Sequence, residues 1–162
     1  MTDQKIDYRQ CAAMVLFNKV GEVLVAERND MTKPAWQLPQ GGIEQWETIQ
    51  DTALRELEEE IGTSAFTIIS IADEEIAYDW PKHFNGQLRS KWVGQRVTLV
   101  ALKFTGRDSE INLNTSKPEF RDWRWVCLED IPGLIVPFKR PIYDYAVCQF
   151  TPIRDKLLMD NL

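Results

Sequence analysis

Apolar residues fall along this chain in blocks of strand length, broken by polar turns. Cys11 to Phe17 (CAAMVLF) is an uninterrupted apolar run, followed by a turn at Asn18-Lys19-Val20-Gly21. Glu22 to Glu27 (EVLVAE) then alternates as a half-buried strand does, so the two segments predict a hairpin. Trp36 to Gln40 (WQLPQ) is short and extended, and Pro39 confines it to an edge or a strand end. Phe66 to Ala72 is apolar and β-branched, and Ile76 to Trp80 either extends it or returns from it. Pro81 to Lys91 is a polar loop, Gln95 to Phe104 a buried strand, Gly106 to Pro118 a long irregular loop, and Trp123 to Leu128 a last strand with its tryptophans on one face.

Helical spacing appears twice. Leu54, Leu57 and Ile61 recur at steps of three and four and predict one core-facing stripe. Thr48 with Asp51 three residues on has the form of a capping box, and Gly62 stands where helices stop. A closing helix is expected from about Phe138 to Phe150, with Pro141 in its first turn and Ile142, Tyr145, Ala146 and Gln149 on its face. Strands before, between and after two well-separated helices do not alternate as in a doubly wound sheet. An α/β fold with a mixed sheet is the consistent reading, in one domain spanning 1–162.

The charge in the first helix does not suit a helix. Glu56, Glu58, Glu59 and Glu60 crowd its last turns, where the helix dipole already presents negative potential. Each is disfavoured there by roughly 0.3–1 kcal/mol before like-charge repulsion is counted. Arg55 is the only cation within the segment. A bound divalent cation would supply the missing charge, and a ligand set made only of carboxylates suits magnesium or manganese better than zinc. A solvated acidic face is the plainer alternative on glutamate count alone.

The spacing decides between them. Gly41, Glu47, Arg55-Glu56-Leu57, Glu59-Glu60 and Gly62 resemble the Nudix box, G-x5-E-x7-R-E-U-x-E-E-x-G-U with U aliphatic, over residues 41–63. The last position departs: Thr63 stands where an aliphatic residue is usual. The resemblance implies a mixed sheet sandwiched between helices (α/β/α) and metal-dependent hydrolysis of a phosphoanhydride. Glu56, Glu59 and Glu60 would be metal ligands, with the Gly41 carbonyl a further one. Glu47 and Arg55 would orient the loop and helix through a salt bridge. Magnesium is the implied ion, with manganese as a substitute.

The flanks narrow the resemblance. Tyr8-Arg9, Arg28, Trp36-Gln37-x-Pro39-Gln40-Gly41-Gly42-Ile43, Tyr78, Gly94-Gln95, Pro118-Glu119-Phe120, Trp123-Arg124-Trp125, Phe138-Lys139 and Tyr143 follow in order. That set is similar to bacterial RNA pyrophosphohydrolases and the related asymmetric dinucleoside tetraphosphate hydrolases. Carried over by position, Arg9 and Arg28 would contact substrate phosphates, a task suited to a fixed guanidinium charge. Gln37 and Gln40 would lie beside the metals, and Phe138 and Lys139 would hold a base and a phosphate near the leaving end. Glu119 would sit opposite the helix as a further ligand or the general base, completing a catalytic set with Glu56 and Glu59. Trp123 and Trp125 read as core, and His83 has no assigned role. The run Arg96-Val97-Thr98-Leu99 lacks the aromatic pair usual after Gly94-Gln95, which bears on base recognition and not on the hydrolytic chemistry.

The implied substrates are 5′-triphosphate RNA ends, dinucleoside polyphosphates such as diadenosine tetraphosphate, or both. The alternatives are a house-cleaning nucleoside triphosphate pyrophosphatase and a Nudix-fold binding module without turnover. With 44% hydrophobic and 27% charged residues, the 162-residue chain has the composition of a globular protein. Its net charge of −6 argues against a broad nucleic-acid surface, so no DNA partner is expected, but it leaves room for gripping one polyphosphate end. No apolar run reaches membrane-spanning length and the N-terminal stretch is polar, so a cytoplasmic protein without a membrane partner is expected. Cys11, Cys127 and Cys148 form no C-x-x-C pair, and Cys11 and Cys127 read as small buried residues.

Overall fold

The computed structural model describes residues 7–83 and 91–160. Most of the loop expected over Pro81 to Lys91 lies outside them. Seven strands form one sheet: β1 (Tyr8–Phe17), β2 (Val23–Arg28), β3 (Trp36–Gln37), β4 (Gln40–Gly42), β5 (Phe66–Asp79), β6 (Gly94–Phe104) and β7 (Phe120–Val126). Helix α1 (Ile49–Ile61) follows β4 and helix α2 (Arg140–Asp160) closes the described chain. The main path runs β3-β2-β1-β6-β5, with β4 pairing β1 and β7 pairing β2. β1 and β6 are parallel through the whole of β1, while the other pairings are antiparallel, so the sheet is mixed.

β1 is apolar from Cys11 to Phe17 because both of its faces are covered there. Cys11, Ala13, Val15 and Phe17 join Val97, Leu99 and Ala101 of β6 beneath Ile142, Tyr143, Ala146 and Phe150 of α2. Ala12, Met14 and Leu16 join Val100, Leu102 and Phe104 beneath Ala53, Leu57 and Ile61 of α1. The two-residue period of the strands thus deals alternate side chains to two cores, one under each helix. This is the expected α/β/α arrangement.

Several expectations shift in detail. The buried stripe of α1 is Ala53, Leu57 and Ile61, with Thr52 and Glu60 beside it, whereas Leu54 is 39% exposed. Leu54 follows Ala53 by one residue, about 100° around the helix, which carries it off the sheet. The capping box is present: Thr48 accepts from the Asp51 amide, Asp51 accepts from the Thr48 amide, and Gly62 ends the helix in the left-handed region. Ile76 to Trp80 extends the preceding strand rather than returning from it, and β5 absorbs the polar stretch between through register shifts against β6.

α2 starts at Arg140 after a 3-10 turn over Pro137–Lys139 and runs ten residues beyond Phe150. Pro152 lies inside it. Beyond it, Arg154 is tied to Glu129, and Leu157 packs on the core. Its buried face is Ile142, Tyr143, Ala146 and Phe150. Cys127 is exposed, because it leaves the end of β7 for a 3-10 turn, and only Cys11 of the three cysteines is buried. Trp123 and Trp125 meet edge to face, 5.9 Å apart, and pack half-buried on the core under α1.

One contact joins the fold to the segment Trp36–Gly42. The buried Tyr143 hydroxyl accepts from the Leu38 amide at 2.8 Å. Tyr143→Phe leaves that amide without a partner, and urea denaturation should show a loss of about 1–3 kcal/mol.

Candidate functional site

Arg55 organises the ground on which the site stands. Its Nε donates to Glu47 at 2.6 Å and its Nη2 to the other Glu47 oxygen at 2.7 Å, a bidentate fork. Nη2 also reaches the Gly42 carbonyl at 3.2 Å, and Nη1 reaches Glu56 at 2.8 Å and Glu59 at 3.3 Å. Glu47 in turn accepts from the Glu44 amide at 3.0 Å. The guanidinium holds the Glu47 carboxyl down to about 2. Through these contacts Glu47 and Arg55 fasten the loop after β4 to α1.

Glu56, Glu59, Glu60 and Glu119 line one cleft of about 270 Å³, together with Ser116 and Lys117. Gly41 lies against the Glu56 side chain. A Cβ on Gly41 would fall 2.0 Å from Glu56 Cδ, so no larger residue lets the carboxylate lie where it does. Burial raises the Glu56 carboxyl above its ordinary range, and Arg55 opposes the shift. Glu60 is more extreme. It is buried, with only 6% of its surface exposed, and its Oε2 has no hydrogen-bond partner. Burial first, then the facing charges of Glu119 and Glu56, push its carboxyl well up. The Gln40 amide is its one opposing donor.

A divalent cation fits this donor set. Hard oxygen donors of like charge face a shared space, and one of them is an orphaned buried oxygen. Among the described residues no three acidic, histidine or cysteine side chains have already closed into a coordination shell. The charges of Glu119 and Glu56 both act against ionisation of Glu60, and a cation would offset them.

The remaining predicted residues divide by place. The Arg9 guanidinium lies against Gly42, where a Cβ would come within 2.7 Å of its Nη2. Arg28 is close enough to feel Glu119 and Glu60, but two of its nitrogens are engaged by Asp30, at 2.8 Å from Nε and more closely from Nη2. Gln37 is buried in β3, and Gln40 Nε2 donates to Gln95 at 3.4 Å. Phe138 and Lys139 do not line the carboxylate cleft. They form a second locus with Tyr78, whose ring centre is 5.6 Å from that of Phe138 and whose hydroxyl donates to Gln95 Oε1. Burial, with help from Arg28, lowers the Lys139 amine to about 8. Asp30, Ser116 and Lys117 were not singled out by the sequence. Only the closeness of Lys117 to Glu119 along the chain could have pointed to it.

An α/β/α sandwich presenting a carboxylate-lined cleft at the end of a glycine loop and an acidic helix defines the class. The NUDIX domain matches residues 7–146, and the chain belongs to the Nudix family of hydrolases. It is 43% identical over 152 residues to the RNA pyrophosphohydrolase of Sphingopyxis alaskensis, covering 92% of this chain and 96% of that one. It is 35% identical over 167 residues to the RNA pyrophosphohydrolase of Wolbachia pipientis, covering 99% and 100%. Among solved structures, the Caenorhabditis elegans Ap4A hydrolase superposes with a TM-score of 0.61 at 18% identity, covering 88% of this chain and 98% of that one. The MutT protein of Methanosarcina mazei gives 0.64 at 18% identity, covering 92% and 99%. At that identity the two structures speak for the fold.

The Glu60 environment has a measurable consequence. Its carboxyl is raised in the folded state, so the folded protein holds the proton more tightly than the unfolded chain does. Stability from this group therefore falls as pH rises from the unfolded value of about 4.5 through the folded one. At pH 8 in EDTA, Glu60→Gln should melt about 2–4 °C above the unsubstituted protein, since glutamine cannot ionise. Added magnesium should raise the melting temperature of the unsubstituted protein and leave that of Glu60→Gln nearly unmoved.

Proposed function

We propose that this protein removes pyrophosphate from 5′-triphosphate RNA ends, leaving a 5′-monophosphate, in the cytoplasm and with magnesium as its ion. Manganese is the substitute, and dinucleoside polyphosphates are the secondary substrates. The observation that carries this reading is the facing of Glu60 and Glu119 across a cleft that Glu56 and Glu59 also line. The names and near full-length identity of the curated relatives support the choice of RNA.

Glu56, Glu59 and Glu60 are the proposed metal ligands, with the Gly41 carbonyl beside Glu56. A divalent ion there supplies charge neutralisation to the phosphates and acidifies water enough for attack near neutral pH. The remaining tasks fall to the chain. In the proposed reaction a water oxygen bonds to the phosphorus nearest the RNA, the bridging P–O bond to the next phosphate breaks, and pyrophosphate leaves. The water's proton passes to a cleft carboxylate, for which Glu119 is the candidate facing the helix. Arg9 and Arg28 hold phosphate oxygens, Arg28 by exchanging Asp30 for substrate. Gln37 and Gln40 set the wall beside Glu60. Tyr78 and Phe138 offer two half-buried rings to a base of the RNA body, and Lys139 takes a phosphate beside it. This moves the aromatic locus from the leaving end, where the resemblance put it, to the retained end.

Product analysis with magnesium on a short 5′-triphosphate RNA and on diadenosine tetraphosphate tests the assignment. The RNA should become a 5′-monophosphate and release pyrophosphate at the higher kcat/KM. ATP and AMP from the dinucleotide with the RNA untouched would overturn it. Glu59→Gln should keep the fold and lose roughly a hundredfold or more in kcat, the scale of removing one group aimed at developing charge. Near-normal turnover in that variant would sink the metal site.

Lys139 adds a pH dependence. Its amine carries charge below about 8 and loses it above. A phosphate binds the charged form, so KM for the RNA should rise as pH climbs through 8, while the Lys139→Met variant shows a higher KM with no such rise.

A further inference from the structure

The carboxylate cleft contains one cation that no part of the reading above uses. Lys117 lines it with Glu56, Glu59, Glu60, Ser116 and Glu119, and it is the sole positive side chain among those lining residues. It comes from the loop between β6 and β7, across from α1. That loop is tied down beside it: Asn29 donates from its side chain to the Pro118 carbonyl at 2.8 Å and from its backbone to the Glu119 carbonyl at 3.0 Å. At its other end, the Asn112 amide reaches the Ile61 carbonyl at the end of α1, at 2.8 Å. The lysine's backbone is therefore placed with respect to both walls.

Its ammonium is not spent on the carboxylates around it. Among the described residues Lys117 makes no ion pair within 4.0 Å, although four glutamates share its cleft and Arg55, by contrast, is saturated with them. The side chain is exposed and long enough to swing over the cleft mouth. The aromatic locus of Tyr78, Phe138 and Lys139 does not line this cleft, so the two lie at separate places along any ligand that spans both.

We propose that Lys117 is a substrate-contacting residue that binds the terminal phosphates, the pair that leaves as pyrophosphate. This deepens the proposed function and rests on it for the direction of the substrate: with the RNA body on the rings, the distal phosphates reach the lysine. A compact ammonium suits that position, where the charge on the leaving group grows as the bridging bond breaks and the surrounding glutamates would otherwise repel it. Because the contact strengthens with leaving-group charge, its loss falls on kcat as well as KM.

The test uses the full chain with magnesium and three proteins: unsubstituted, Lys117→Met and Lys117→Arg. Calorimetric titration with inorganic pyrophosphate comes first, because it needs no turnover. Lys117→Met should bind pyrophosphate about tenfold more weakly, and Lys117→Arg should stay within about threefold of the unsubstituted protein. With 5′-triphosphate RNA, Lys117→Met should lose about tenfold or more in kcat/KM, with kcat reduced as well, and arginine should recover most of it. Unchanged pyrophosphate affinity in Lys117→Met, or no measurable affinity in the unsubstituted protein, would overturn the proposal whatever happens to the RNA. Pyrophosphate binding that depends on Lys117, in a protein that leaves RNA untouched, would instead keep the phosphate site and remove the RNA reading. Equal melting temperatures of the three proteins would exclude a folding defect.

Discussion

Four carboxylates share a small space in this protein, and the rest of the local structure is an answer to their repulsion. Arg55 is the fixed part of that answer. Its planar fork takes both oxygens of Glu47, touches the Gly42 carbonyl, and still reaches Glu56 and Glu59. A lysine has the charge but not the geometry to join a loop and a helix at so many points. Glu60 lies beyond the reach of that guanidinium. The backbone amide of Gln40 gives it one donor, its Oε2 has no hydrogen-bond partner, and the Glu119 carboxylate raises it further. Burying an ionisable group in this state costs stability in the protein alone. The cost is consistent with a site whose stable form includes a cation.

The two cores explain how such a site is kept rigid. The even-numbered residues of β1 support α1 and the odd-numbered ones support α2, so the acidic helix and the helix carrying Tyr143 are clamped to opposite faces of one strand. Tyr143 then passes through to the Leu38 amide, between the two glutamines of the glycine-loop approach. Positioning of Gln37 and Gln40 thus rests on a residue in the final helix. The cleft itself is lined by α1 and the loop before β7, two segments far apart in sequence.

Much of this was legible from residue order. The capping box, Gly62, the hairpin turn and the buried run Cys11 to Phe17 carry short-range physics that little in the tertiary structure overrides. The glutamate spacing was legible for a different reason, since side chains of one helix that line one cleft must share a face. What escaped depends on through-space neighbours. Leu54 satisfies the helical period as well as Ala53 does, and only the angle at which α1 meets the sheet decides which is buried. Pro152 marks a helix stop in isolation, yet contacts such as Arg154 with Glu129 hold the helix past it. Cys127 is exposed because its strand ends at Val126, two residues earlier than the run to Leu128 suggested. Asp30 on Arg28 and Lys117 over the cleft have no periodicity at all to announce them.

The parallel pairing of β1 with β6 bears on how the molecule comes into being. β4 and α1 follow β1 directly, but the strand that completes the surface beneath α1 is β6, and its partner register begins only at Gly94. A chain emerging in order therefore carries its glutamate-laden helix for a long interval with half of its apolar seat missing. During that interval the helix has poor intrinsic charge balance and little to dock against. Closure across so long a loop is entropically slow. The acidic centre becomes a place rather than a stretch of sequence only when β6 is threaded between β1 and β5.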